Sequence, residues 1–190
     1  MYTFQQILSA TAGVLFVIGF LPYAIAIVRG STKPSKASWL IWAGLDTITL
    51  CGMFAKHTVN GQILGAVIGV WIIVALTMKF GTSGWTKLDK FCLAGAVLGV
   101  SLWQLFDEPL LGIATSLSLG FLGSIPTFVS AWHDPSREDK FAWTIFWASC
   151  VLAVWAIPSW TIADAGQPLM FFVVENVMMY LLYVRRHVSV

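Results

Sequence analysis

The sequence predicts an all-α integral membrane protein: seven transmembrane helices, forming two parallel three-helix repeats joined by an inversion-linker helix. Three observations predict it. The chain is 58% hydrophobic and 11% charged, with ten Trp, whereas a soluble domain carries roughly 25% charged residues. Apolar runs of about the 20 residues that span a bilayer follow one another with short breaks. A stretch near the N-terminus also recurs past the middle of the chain in the same orientation.

In chain order the apolar runs cover 5–28, 37–55, 62–80, 88–106, 110–132, 141–159 and 168–186. The breaks hold charge and turn residues, as links between packed helices do. Alternating segments of β-barrel type are missing, and the runs leave no room for a separate soluble domain. The opening "MYTFQQILSA" lacks the basic region and cleavage site of a secretory signal, so it is expected to begin a retained first helix. Cys51, Cys92 and Cys150 all fall inside apolar runs and read as buried thiols.

Charge gives the orientation. With seven spans, Arg29, Lys33, Lys36, Lys79, Lys87, Lys90, Arg137, Lys140, Arg185 and Arg186 share one side. Lys56 stands alone on the other, with Asp107, Glu108 and Asp164. This positive-inside bias puts the N-terminus outside and the C-terminus in the cytoplasm of a multi-pass cell-membrane protein. The net charge of +2 makes no case for a nucleic-acid partner.

The repeat rests on two stretches, Leu21 to Trp42 and Ile125 to Trp147. At a shift of 104 residues Gly19 meets Gly123, Pro22 meets Pro126, Lys33 meets Arg137, Lys36 meets Lys140 and Trp39 meets Trp143. Further on, Gly61-Gln62 meets Gly166-Gln167 with one residue of slippage. The chain therefore divides into a first repeat (1–82), a linker helix (83–108) and a second repeat (109–190). Parallel repeats about an axis along the membrane normal are a transporter plan.

With its three-one-three helix order, a proline late in the first helix of each repeat, and a basic loop leading to the next, the chain resembles the SWEET and PQ-loop (MtN3-like) transporter clan. The Pro-Gln pair of that clan is replaced by Pro22-Tyr23 and Pro126-Thr127. Trp39-Trp42 and Trp143-Trp147 stand where SWEET proteins place further prolines. The resemblance implies a central pocket between the repeats, reached alternately from each side. It also implies a substrate-facing asparagine midway along each third helix; Asn176 matches it, and Trp71 stands there in the first repeat.

Several residues carry chemistry. An interior proline removes a backbone hydrogen bond and kinks its helix, so the matched pair Pro22 and Pro126 are candidate gating residues. Asp46 and Glu175 lie inside apolar spans without a basic residue at mid-span. A charge at the bilayer centre costs about 2.5–3.5 kcal/mol on insertion scales, so each is protonated, held by neutral partners or wetted. A protonated carboxyl is a natural proton carrier, which makes both proton-coupling candidates. Trp39, Trp42, Asp46 and Thr49 share one helical face, and Asn176, Met179 and Tyr183 share another beside Glu175. The substrate-binding candidates are Trp42, Asp46, Trp71, Glu175, Asn176 and Met179. The alternative for these Trp residues is packing or an interfacial belt. Gly65 and Gly69 of "GAVIGV" read as a close helix contact.

His57, His133 and His187 are too dispersed for a metal site, and no nucleophile triad or phosphate loop appears. Neither a catalytic residue, a metal nor a cofactor is therefore expected, and the chain does not read as an enzyme. The expected function is small-solute transport by alternating access, with a sugar leading, proton-coupled through Asp46 or Glu175. Its partners are that solute and the lipid bilayer, with homo-oligomerisation left open. The alternatives are an uncoupled facilitator for an amino acid or vitamin precursor, and a ligand-binding membrane receptor of the same architecture.

Overall fold

The structure is a computed structural model describing residues 3–31 and 34–185, with Arg137 described only in its backbone. Lys33, Arg186 and His187, used above, lie outside the described residues. The helices are α1 (Phe4–Val28), α2 (Lys36–Ala55), α3 (Gly61–Phe80), α4 (Lys87–Phe106), α5 (Pro109–His133), α6 (Lys140–Trp155) and α7 (Ile162–Met179). A 3-10 turn, Pro135–Arg137, precedes α6, and a π-helical turn, Tyr180–Val184, extends α7.

Local chemistry sets the starts. Unpaired N–H groups in a first helical turn need acceptors. Thr3 and Thr86 form capping boxes with Gln6 and Asp89, while Ser35, Asn60, Asp139 and Thr161 cap α2, α3, α6 and α7. Pro109 opens α5 behind Glu108, where its missing N–H costs nothing.

Two boundaries differ from the apolar runs. The sixth helix stops at Trp155 rather than at 159, because Pro158 disfavours helical geometry in the residue before it. The seventh starts at Ile162, well before 168, because Thr161 caps it and Asp164 suits its first turn; Pro168 lies inside it. Six helices are long and apolar enough to cross a membrane. The remaining one, α6, has 16 residues, about 24 Å against a hydrocarbon core of about 30 Å.

Helix α3 lies between α1 and α2, and α7 between α5 and α6. The two triplets join where α1 packs on α6 and where α5 packs on α2. The contacts thus run round a ring, α1–α3–α2–α5–α7–α6, with α4 outside it against α5 and α2. Small residues set the closest approach. A Cβ on Gly13 would overlap the Gly61 carbonyl, and one on Gly65 the Gly13 carbonyl, so α1 and α3 meet backbone to backbone. Gly69, its expected companion, instead seats the Phe20 ring.

The links sort to two ends. At one, Thr82 N–H donates to the Pro34 carbonyl at 2.9 Å and Lys36 N–H to the Thr82 carbonyl at 3.0 Å. There too Arg185 donates to the Trp132 carbonyl and lies 3.5 Å over the Trp132 ring. At the other end Lys56 pairs with Glu108 at 2.8 Å. Among the cysteines, Cys92 and Cys150 are buried as expected, but Cys51 is exposed on the outward side of α2.

Candidate functional site

The site begins on α2. Trp39, Trp42, Asp46 and Met53 recur at helical spacing and face inward; Met53 is fully buried, the other three half-buried. Trp42 lies against Gly123 of α5, where a Cβ would come within 3.2 Å of its Nε1. Phe146 lies against Gly19 of α1, where a Cβ would come within 2.5 Å of the ring. These contacts correspond under the 104-residue shift, each glycine admitting an aromatic ring from the other triplet. A column of rings follows: Tyr23 on Trp39 at 5.2 Å, Phe20 on Phe146 at 5.0 Å, Phe16 on Phe146 at 4.8 Å and Phe16 on Phe171 at 5.5 Å.

Both intramembrane acids lack hydrogen-bond partners among the described residues. Asp46 is half-buried, and no side chain or backbone N–H donates to its carboxyl. Glu175 is 5% exposed, with Oε2 buried and unpartnered. It lies within electrostatic reach of Cys150, the residue that aligns with Asp46. A buried polar atom without a partner costs free energy.

Cys150, within electrostatic reach of Glu175, also faces an amide cluster. Gln167 Nε2 donates to Gln62 Oε1 at 3.0 Å, and Asn60 Nδ2 donates to Gln167 Oε1 at 2.9 Å. Gln62 Nε2 faces Cys150 Sγ at 3.1 Å and Ser149 Oγ at 3.3 Å, and Ser149 Oγ donates to the Ala12 carbonyl at 2.8 Å. The network ties α1, α3, α6 and α7 together at the end opposite the basic links. The paired "GQ" motifs mark these residues in the sequence, but as evidence of repetition and not as members of a site. A second buried bond, Thr49 Oγ1 to Ser116 Oγ at 2.7 Å, joins α2 to α5.

Other expected site residues lie elsewhere. Trp71 is 43% exposed and shares the outward stripe of α3 with Leu64 and Ile68. Asn176 shares the corresponding stripe of α7 with Leu169 and Val173. Each is tied to the second helix of its own triplet: Trp71 Nε1 donates to Thr47 Oγ1 at 3.1 Å, and Trp147 Nε1 to Asn176 Oδ1 at 3.4 Å. Met179 is half-buried. Pro22 is half-buried and Pro126 exposed, and both helices run on past them.

At the basic end Trp143 Nε1 donates to Glu138 Oε2 at 2.9 Å. Burial nonetheless pushes the Glu138 carboxyl above its ordinary range, against the Trp143 hydrogen bond. Tyr23 of α1 lies within its electrostatic reach. Two hollows open at the surface of the bundle, one of about 370 Å³ between α2 and α4 and one of about 520 Å³ between α5 and α7. Neither is lined by Asp46 or Glu175.

Fold and composition define an all-helical, membrane-embedded protein. No family model, curated protein or solved structure matches the chain.

Proposed function

We propose that the chain is a small-solute transporter working by alternating access, coupled to protons through Asp46 and Glu175. In this reading α6 completes seven spans, and residues 1–82 and 109–190 are parallel repeats about the linker helix. The N-terminus is outside and the C-terminus in the cytoplasm, an arrangement similar to that of the SWEET and PQ-loop clan. Matched helix contacts in the two triplets support the repeat, as do the paired seats of Trp42 and Phe146 on Gly123 and Gly19.

The observation that carries the proposal is the Glu175 carboxyl, 5% exposed with an unpartnered Oε2. Structure alone gives no reason to keep a carboxyl there; an apolar side chain would fill the place without the desolvation cost. The corresponding residue of the first triplet is Val70, which is 1% exposed in the core. Intramembrane acids mark substrate and proton routes. Trp42, Asp46, Glu175 and Met179 line the proposed route, with Pro22 and Pro126 as its inner hinges. Trp71 and Asn176 face outward and are left off it.

The Gln62–Gln167 bond closes the end opposite the basic links and must part when that end opens. A sugar leads as cargo through the resemblance to the SWEET clan; the flat rings and carboxyls themselves suit a small polar or ring-bearing solute.

Uptake into proteoliposomes tests the proposal with labelled sugars, amino acids and vitamin precursors. Saturable uptake of one class above empty vesicles is expected. A solute that binds the purified protein and is never taken up would replace the transporter with a receptor.

A further inference from the structure

We propose that the groove between α2 and α4 holds an acyl chain of an anionic phospholipid, with its phosphate bound by Lys36 and Lys90. The groove measures about 370 Å³ and its walls are almost wholly apolar, among them Leu40, Gly44, Leu93 and Val97. It opens to the outside of the ring, where the hydrocarbon phase would be its solvent. At one end the two helices are pinned together by Ser38 Oγ donating to Asp89 Oδ1 at 2.8 Å.

The ends of the walls decide the occupant. Lys36 stands one helical turn before Leu40, and Lys90 one turn before Leu93, so each lysine continues a wall of the groove. Trp85, which lines the same groove and is 49% exposed, sits at that end too. Neither lysine forms an ion pair among the described residues. The nearby carboxylate is already engaged: Asp89 accepts from Ser38 on Oδ1 and from the Thr86 N–H and hydroxyl on Oδ2. Apolar walls ending in two free cations and an indole match a lipid in sequence: chain, interface, anionic head. A second copy of the chain would bury both lysines without a partner charge that the groove supplies. The site depends on the membrane setting and not on transport.

Gly44 gives the test. A Cβ built there meets nothing within 4 Å, so a larger side chain enters the groove without straining the helix. Full-length protein in mild detergent is equilibrated with equal dioleoylphosphatidylglycerol and dioleoylphosphatidylcholine, and retained lipid is counted by native mass spectrometry. Wild type should retain the anionic lipid about 30-fold over the zwitterionic one, from about 1 kcal/mol for each of the two lysines. Lys36→Gln with Lys90→Gln should bring the two near parity. Gly44→Leu should lower retention of both, and Ser101→Leu, narrowing the groove from α4, gives the same reading should Gly44→Leu fail to fold. An unchanged preference in the lysine variant overturns the headgroup assignment, and unchanged retention in both groove variants overturns the groove. A dimer that Gly44→Leu splits without altering retained lipid would assign the groove to a second copy instead.

Discussion

Gln62 and Gln167 meet amide to amide in the interior: Gln167 Nε2 donates to Gln62 Oε1 at 3.0 Å, with both side chains 1% exposed or less. Each is the second residue of a repeated Gly-Gln pair and belongs to the third helix of its triplet. The bond therefore joins corresponding positions of the two halves.

Gln62→Leu leaves the Gln167 amide buried with a donor unpaired, which costs about 1–3 kcal/mol. Gln167→Leu should cost a similar amount. The double variant should be more stable than the sum of the singles implies, because neither half of the Gln62–Gln167 bond remains and only the Asn60 amide loses its acceptor. Thermal unfolding of the four proteins in detergent measures this. Strict additivity would show that the bond contributes no coupling.

Glu175 should behave in the opposite way. Its Oε2 has no partner to lose, so Glu175→Gln should leave the unfolding midpoint equal to wild type or higher, while abolishing transport. A loss of about 2 kcal/mol or more in unfolding free energy, the scale of a lost charged hydrogen bond, would mean that the carboxyl has a structural role.

The glycines of the α1–α3 contact give a third test. Gly65→Ala drives a methyl into the Gly13 carbonyl, and backbone cannot swing away, so a loss of about 1–3 kcal/mol is expected. Gly44→Ala, which meets nothing and sits inside α2, should be neutral or stabilising by up to about 1 kcal/mol. Size-exclusion profiles and melting points of the two variants separate the outcomes; equal behaviour contradicts the packing described here.

Two acids outside the spans should give stability opposite pH slopes. Burial raises the Glu138 carboxyl above its unfolded value, so the folded chain holds its proton longer and stability falls as pH rises through the folded value. Glu138→Gln should remove that fall. Glu108 is lowered, chiefly by its hydrogen bond with Lys56, so its contribution is present above the unfolded value and lost as pH falls through the folded one. Glu108→Gln should remove this acid-side loss. Melting points across a pH series check both signs.

Much of this fold is legible in the sequence, because a bilayer admits few arrangements and hydropathy reports them. The helix limits follow from Thr, Ser, Asn and Asp caps and from Pro109, and the two misplaced ends lie where Pro158 and Thr161 overrule the apolar pattern. The inward stripe of Trp39, Trp42 and Asp46 is legible too, because polar and aromatic residues interrupt an otherwise apolar helix.

The third helices are not. In α3 nearly every residue between Ile63 and Thr77 is apolar, so periodicity cannot separate the face toward lipid from the face toward the core. The resemblance to the SWEET clan, and not periodicity, puts Trp71 and Asn176 at the site; the packing of α3 between α1 and α2, and of α7 between α5 and α6, leaves both exposed. Gln62 and Gln167 had a signal, a matched buried amide in each half. Seeing that they meet required the ring.

Proton movement in proteoliposomes tests the central claim, that the Asp46 and Glu175 carboxyls lie on the route of a transported solute. Vesicles carrying the protein and an internal pH-sensitive dye are given the transported solute from outside. Solute entry should acidify the interior in wild type, Glu175→Gln should abolish this, and Asp46→Asn should impair it. Solute flux without proton movement, unchanged in both variants, would contradict it.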